Sequence, residues 1–436
     1  MRLPRGRRKR RVCVLGLDGV PFGLLTRLAQ TGVMPHVAAM VKQAGLRQMR
    51  APLPPVSSVS WSSFMTGANP GEHGIFGFTD VAPDTYRLRF PRFSDLATPT
   101  FWDRLGESGK RCCIINQPAT YPARALPGAL VSGFVAPDLA RGVYPARHLA
   151  VLQRMGYRID VAVDQARGDP HRLLDDLEAT LDTRRRAALH FWEQEQWDYF
   201  QLVITGTDRL HHFLWNAVAQ DDHPLHERAA RYYQAVDSLI GELWGRFHQG
   251  GSLSREAEGF LLLSDHGFTA ARREVRLNAW LHESGYLSYR TPDPASIADI
   301  APGTRAFALD PGRIYINTKR RFAAGCVAAE EVGSLREELA RRLRSLTDEG
   351  EPAVEHVFSR EAIYRGPRSE LGPDLVVIGK DGFDVKGTAK GADVFTGARF
   401  QGMHTCDDAF VWSLLPIPDD PEVSHLASPI VAWLSS

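Results

Sequence analysis

Val12-Cys13-Val14-Leu15-Gly16-Leu17-Asp18 is an unbroken apolar run that stops at a carboxylate. A run of that length without alternation suits a strand buried on both faces, as in parallel sheets. The pattern recurs twice. Phe200-Gln201-Leu202-Val203-Ile204 is followed by Asp208, with His212 one helical turn further on, and Phe260-Leu261-Leu262-Leu263 runs into Asp265-His266. Amphipathic stretches precede the second and third runs: Leu173, Leu174, Leu177, Leu181, Leu189 and Trp192, then Tyr232, Val236, Leu239, Ile240, Leu243 and Phe247. Alternating strands and helices predict an α/β fold, a three-layer α/β/α sandwich with a mostly parallel central sheet. In such sheets the functional edge lies outside the carboxyl ends of the strands, where these acids and histidines fall.

Around this frame, residues 24–29 and 34–45 read as helices. Pro52-Leu53-Pro54-Pro55 forces extended backbone. It leads into Val56-Ser57-Ser58-Val59-Ser60-Trp61, the serine-rich start of a helix whose N-terminus favours an anion. Asn69-Pro70-Gly71 reads as a turn, 101–109 as a helix and 111–116 as a strand. Beyond Asp265-His266 come a helix at 277–285, strands at 313–317 and 374–378, and a stripe of Leu335, Leu339, Leu343 and Leu346. We read a small α+β cap at 286–368 inserted into a core formed by 12–285 and 369–436. A last helix starts at Ser428-Pro429.

The 436 residues, 44% hydrophobic, suffice for a large core. The net charge of +1 hides an asymmetry. Residues 1–11 contain Arg2, Arg5, Arg7, Arg8, Lys9, Arg10 and Arg11 and no acid, so the remainder is net acidic and does not suit general nucleic-acid binding. The tail reads as a disordered, solvated start; contact with nucleic acid or anionic lipid is the alternative. It does not read as a signal peptide, because Asp18 and Pro21 interrupt the following apolar stretch. No run is long enough to span a bilayer. Cys13, Cys112, Cys113, Cys326 and Cys406 lack paired or zinc-finger spacing, which suggests free thiols and a cytoplasmic location. The sequence leaves the oligomeric state open.

The chemistry-bearing residues sort into two ligand sets. Asp208 and His212 need a third partner, and Gly402-Met403-His404 supplies a histidine beside a glycine. Asp18, Asp265 and His266 form the other set. Mixed imidazole and carboxylate ligation suits two divalent ions, Zn²⁺ first, with Mn²⁺ or Fe²⁺ as alternatives. Two such ions about 4 Å apart clamp the attacking and leaving oxygens of an in-line phosphoryl displacement. Ser57, at the helix N-terminus, is the candidate nucleophile, activated by coordination to a metal. Any one of these residues alone is better explained as a cap or turn; their joint appearance at three strand ends is not.

Taken in order, the motifs resemble the alkaline phosphatase superfamily, and within it the type I phosphodiesterase/nucleotide pyrophosphatase branch. The resemblance runs through Gly16-Leu17-Asp18-Gly19, Pro54-Pro55-Val56-Ser57 and Trp61-Ser62-Ser63-Phe64-Met65-Thr66-Gly67. It continues through Asn69-Pro70-Gly71-Glu72-His73-Gly74-Ile75-Phe76, Thr207-Asp208-Arg209-Leu210-His211-His212, Ser264-Asp265-His266-Gly267-Phe268 and Gly402-Met403-His404. It implies a covalent mechanism in which Ser57 attacks phosphorus; counting back from Thr66-Gly67 selects Ser57, with Ser58 and Ser60 as rivals. Nucleotide-cleaving members of the branch often carry Asn three residues after the nucleophile. Here Ser60 stands there, so oxyanion contacts fall to Ser60, to the backbone amide of Ser58 or to another side chain. The sulfatase pattern is absent from Ser57-Ser58-Val59-Ser60-Trp61.

Other residues have plainer readings. His73 buttresses the nucleophile loop and His211 is a bystander. Asn116 and Tyr121, after a candidate strand, are candidates to face the substrate, with packing as the alternative. Arg313, Arg320, Arg321 and Arg365 could offer charge from the cap. The expectation is a hydrolase of a small-molecule phosphodiester. A phosphomonoesterase or phosphoryl mutase/transferase of the same superfamily is the second reading, and a catalytically silent metal-containing binding protein the third.

Overall fold

The computed structural model describes residues 10–82, 85–162, 168–249 and 258–436. The first apolar run forms the strand Arg11–Leu17, every residue of it buried except Arg11. It lies between the other two, pairing in parallel with Tyr199–Ile204 on one side and Glu258–Leu263 on the other. Cys112–Gln117 and Gly128–Ser132 extend the parallel run beyond Tyr199–Ile204. Both edges are antiparallel: Val143–Tyr144 closes one, and Ala409–Ser413 with Arg47–Met49 closes the other. Among the described residues the central sheet thus has eight strands, mostly parallel as its continuous apolar runs predict.

Alternate side chains of the first strand feed two different cores. Cys13, Leu15 and Leu17 pack under the helices Pro170–Gln194 and His226–Gln249, contributing with Leu173, Leu177, Phe191, Tyr232, Val236 and Leu243. Val12 and Val14 pack on the opposite face, under the helices Ser57–Thr66, Phe101–Glu107 and Ala427–Ser435. This is the three-layer sandwich. Gly16 faces the second core because nothing larger fits: a Cβ there would come within 2.3 Å of the Trp61 ring.

The register brings the strand ends level. Leu17 lies opposite Ile204, Gly16 opposite Leu263, and the Asp18 amide donates to the Ile204 carbonyl at 3.0 Å. The residues that follow all three strands therefore emerge at one edge.

A second sheet of four strands, Ala306–Leu309, Arg313–Ile316, Leu375–Gly379 and Val354–Ser359, has its own core with the helices Leu277–Glu283 and Val332–Arg344. The boundaries at 286 and 368 cut through this unit. Leu375–Gly379 pairs with both Arg313–Ile316 and Val354–Ser359, and Leu277 and Leu281 belong to its core. The basic tail at 1–9 lies outside the described residues. Arg10 and Arg11 do not belong to a free tail: their guanidinium groups lie over Trp433 and Trp197, and Arg11 opens the first strand. Among the described residues no helix is long and apolar enough to cross a membrane.

Candidate active site

Ser57 is the first residue of the helix Ser57–Thr66, entered from extended Val56. Its hydroxyl donates to Asp18 Oδ1 at 3.0 Å and lies 3.2 Å from His266 Nε2. Asp18 is fixed from its other side by Trp61 Nε1, which donates to Oδ2 at 3.0 Å, while Thr207 Oγ1 donates to the Asp18 carbonyl at 2.6 Å. Trp61 sits one helical turn after Ser57, so a single helix both presents the hydroxyl and aims its carboxylate partner.

Asp208 and His212 occupy the first turns of the helix Gly206–Ala219, which starts directly after Tyr199–Ile204. Four-residue spacing puts both on one helical face. His404 arrives on Gly402–Thr405, which pairs antiparallel with Gly267–Arg276 and sets His404 opposite Phe268. His404 Nε2 is 3.2 Å from Asp208 Oδ1 and 3.0 Å from His212 Nε2.

Two sets of candidate ligand atoms each gather within 4.8 Å: Asp208 with His212 and His404, and Asp18 with Asp208 and His266. Asp208 belongs to both. Asp265, grouped from sequence with Asp18 and His266, stands slightly apart. Its Oδ1 accepts the Gly19 amide at 3.0 Å, and Oδ2, fully buried and without a hydrogen-bond partner, is 3.4 Å from His266 Nε2.

The donor set fits cations. Each imidazole turns Nδ1 to a backbone carbonyl, which can only accept: Pro55 for His404 (2.9 Å), Gly402 for His212 (3.3 Å) and Gly267 for His266 (3.1 Å). The proton therefore belongs on Nδ1, leaving an Nε2 lone pair facing the cleft. Two such lone pairs at 3.0 Å, His212 against His404, repel unless a cation lies between them. Burial pushes all three imidazoles below their usual range, which keeps them neutral. Burial also raises Asp18, helped by the neighbouring Asp265 and Asp208 charges, and raises Asp265 to about 8. Burial opposes ionisation of Asp208 too, but its basic surroundings outweigh it, the charged Arg209 among them, and hold that carboxyl low. Clustered buried acids with raised pKa values are what a site for positive charge looks like when only protein charges act on it.

Arg209, next to Asp208, also reaches the site. Asp160 accepts from its Nε and Nη2 (2.9 and 2.6 Å), its Nη1 reaches Asp208 at 3.4 Å, and it lies over Phe134. His211 is not a bystander: its Nδ1 meets the Gly19 carbonyl at 2.8 Å and its Nε2 meets Tyr233, clamping the turn after Asp18. His73 does buttress the nucleophile helix. Its Nδ1 accepts the Ile75 amide and its Nε2 faces Ser63 Oγ at 2.9 Å.

The candidate substrate contacts separate. Ser58 lines a large cavity beside the nucleophile, and its buried hydroxyl has no partner. Ser60 also has an unpartnered hydroxyl, but it is fully buried and lines none of the cavities around the cleft. Asn116 lines none of the cavities around the cleft. It is fully buried, donates to the Val203 carbonyl and Thr205 Oγ1, and accepts from Tyr157. Tyr121 lines the large cavity and bonds Asp138. Arg313 is buried against the Asp310 and Thr79 carbonyls, and Arg321 bonds the Gly372 carbonyl over Tyr315 and Phe322. Neither is free to meet a ligand's charge.

Known proteins share this fold. Phosphonoacetate hydrolase from Sinorhizobium meliloti 1021, solved with phosphonoacetate, superposes with a TM-score of 0.62 at 16% identity, covering 99% of this chain and 97% of its own. Alkaline phosphatase PafA gives 0.61 at 14% identity, covering 98% and 96%. Murine ectonucleotide pyrophosphatase/phosphodiesterase 5 gives 0.57 at 13%, covering 98% and 95%. At these identities the likeness establishes the fold. No curated protein matches the chain by sequence. The family pattern of type I phosphodiesterase / nucleotide pyrophosphatase matches residues 12–407. The chain therefore belongs to the type I phosphodiesterase/nucleotide pyrophosphatase family, phosphoester hydrolases of the alkaline phosphatase superfamily.

Proposed function

We propose that the protein is a phosphodiesterase that hydrolyses a small-molecule phosphoric diester through a covalent intermediate on Ser57. The observation that carries this reading is the Ser57 hydroxyl, held 3.0 Å from Asp18 and 3.2 Å from His266 at the mouth of a cleft shared by both ligand sets. Asp208, His212 and His404 would hold one divalent ion, and Asp18, Asp265 and His266, with Asp208 alongside, the other; Zn²⁺ suits this mixed set best. Bound there, the ions would lower the pKa of the Ser57 hydroxyl and offset charge developing on the phosphoryl oxygens.

The chain's own residues supply the rest. Trp61 and Thr207 fix Asp18, so Ser57 meets its partner in one geometry. The first amides of the Ser57 helix lack a side-chain cap, which leaves them, with the Ser58 hydroxyl, to bind a non-bridging phosphoryl oxygen. In the first half-reaction the Ser57 oxygen–phosphorus bond forms, one ester bond breaks, and the departing alcohol takes a proton. Water then releases the remaining monoester and restores Ser57.

The test is paired kinetics on zinc- or manganese-loaded protein with bis-p-nitrophenyl phosphate and p-nitrophenyl phosphate. We expect preference for the diester, and loss of about 10³-fold or more in kcat for Ser57→Ala with metal retained. Preference for the monoester would move the protein to the phosphatase or mutase side. Bound metal without turnover of either ester, and no effect of Ser57→Ala, would leave a silent binder.

A further inference from the structure

Arg184 lies on the helix Pro170–Gln194 and is 1% exposed. Its Nη1 donates to Thr205 Oγ1 at 3.1 Å, and its Nη2 donates to the Arg158 and Ile159 carbonyls at 3.1 and 2.7 Å. Among the described residues none of its hydrogen bonds reaches a carboxylate, and its Nε has no partner. Arginine is almost never fully buried unless it is paired, because desolvating a cation is costly. What the guanidinium offers in return is a rigid fork of N–H donors that can bridge two segments at once.

The two bridged segments meet again at Asp208. Thr205 is the N-cap of the helix Gly206–Ala219, which carries Asp208 and His212, and it lines the catalytic cleft. Its side chain makes no capping bond, so the hydroxyl is left to accept from Arg184. Arg158 and Ile159 lie in an irregular stretch that neither a helix nor a strand ladder holds in place. The next residue, Asp160, accepts from Arg209 Nε and Nη2, and Arg209 Nη1 reaches Asp208 Oδ2 at 3.4 Å. Both routes from Arg184 therefore end on one carboxylate. That carboxylate is the one belonging to both candidate ligand sets. Arg184 lines none of the cavities around the cleft, so it acts only through these neighbours.

We propose that Arg184 is a positioning residue for Asp208. By tying the start of the ligand-bearing helix to the 158–160 stretch, it fixes the aim of the carboxylate that two ions would share. A ligand carboxylate binds well only when the groups behind it hold its orientation. This rests on the metal reading of the site and names what holds its shared ligand.

The test is the zinc affinity of the full chain stripped of metal, read by competition with a chromophoric chelator, with zinc as the only ligand. Arg184→Met keeps an unbranched stem and removes both routes, whereas Thr205→Val and Asp160→Ala each cut one. We expect Arg184→Met to weaken zinc binding by about ten- to a hundredfold, the usual loss when a metal ligand is deprived of the group that orients it. Each single-route variant should lose part of that. Adding Thr205→Val to Arg184→Met should cost little more, since that route is already cut. Arg184→Lys keeps the charge but has no fork to span both segments, so it should retain only part of the affinity. Phe191→Leu, fully buried two turns further along the same helix, controls for stability: it should lower the melting temperature and leave zinc affinity unchanged. Wild-type zinc affinity in folded Arg184→Met, or in both single-route variants if Arg184→Met does not fold, would overturn the proposal. An equal loss in Phe191→Leu, or full affinity in Arg184→Lys, would overturn it too. A wild-type chain that binds no zinc would overturn the metal reading, and this proposal with it.

Discussion

His73 should make this protein acid-labile by a calculable amount. The ring is fully buried between the nucleophile helix and the Asn69–Ile75 turn, and burial drives its pKa from 6.5 to about 3. Its bonds match the neutral form: the Ile75 amide donates to Nδ1, so the ring's single proton belongs on Nε2, facing Ser63. Below the unfolded pKa the unfolded chain takes a proton that the folded chain refuses. The stability His73 contributes is therefore complete above about pH 7 and is lost as pH falls from 6.5 towards 3. At about 1.4 kcal/mol per pH unit, the loss is about 2 kcal/mol at pH 5 and about 5 kcal/mol by pH 3. The assay is urea unfolding followed by tryptophan fluorescence at pH 7.5 and 5.0, with chelator throughout so that metal release does not contribute. Wild type is compared with His73→Gln, whose amide nitrogen can reach Ser63 but does not titrate. The stability gap between the two proteins should narrow by about 2 kcal/mol at the lower pH. A gap that stays the same at both pH values would refute the argument, because it would mean the native ring accepts a proton as readily as the unfolded one.

Gly16→Ala should cost about 1–3 kcal/mol and lower kcat, because its Cβ would drive into the Trp61 ring that fixes Asp18; Trp61→Phe in the same chain should recover part of the stability, read as non-additivity in a thermal-melt double-mutant cycle. Chelation should lower the melting temperature and zinc should restore it, with about 3 kcal/mol of added stability at a free metal concentration a hundredfold above Kd; a melt insensitive to both would remove the metal reading. Asn116→Ala should destabilise by about 1–3 kcal/mol, by stranding the Tyr157 hydroxyl and the Val203 carbonyl, while leaving KM for a cleaved diester unchanged; a raised KM with normal stability would return Asn116 to the substrate.

The local signals were strong where chemistry and periodicity coincide. Arg11–Leu17, Tyr199–Ile204 and Glu258–Leu263 are legible because a strand covered on both faces needs an unbroken apolar run, and each run ends beside acids or histidines that a core would not tolerate unpaired. His404 could be picked out because a histidine beside a glycine precedes another apolar run. Residue types, their order along the chain and the family they resemble are all properties of the sequence itself.

Partnership is not such a property. That Asp208 neighbours Asp18 and His266 as well as His212 and His404 follows from the first strand lying between the other two with level ends. Asn116 at its strand end looked like a substrate contact, yet its amide is consumed by the neighbouring strand's end. Leu375–Gly379 looked like a return to the core, yet it pairs into the second sheet. The cavities beside the cleft are lined by Phe78, Phe90, Phe134 and Arg209, from three separate stretches of chain. The sequence by itself determined which strands exist, which residues carry the chemistry and which family they belong to, because those signals are local or ordered along the chain. Only the tertiary structure decided which ligands share a site and which polar groups are already satisfied, because strand order, register and packing bring together residues hundreds of positions apart.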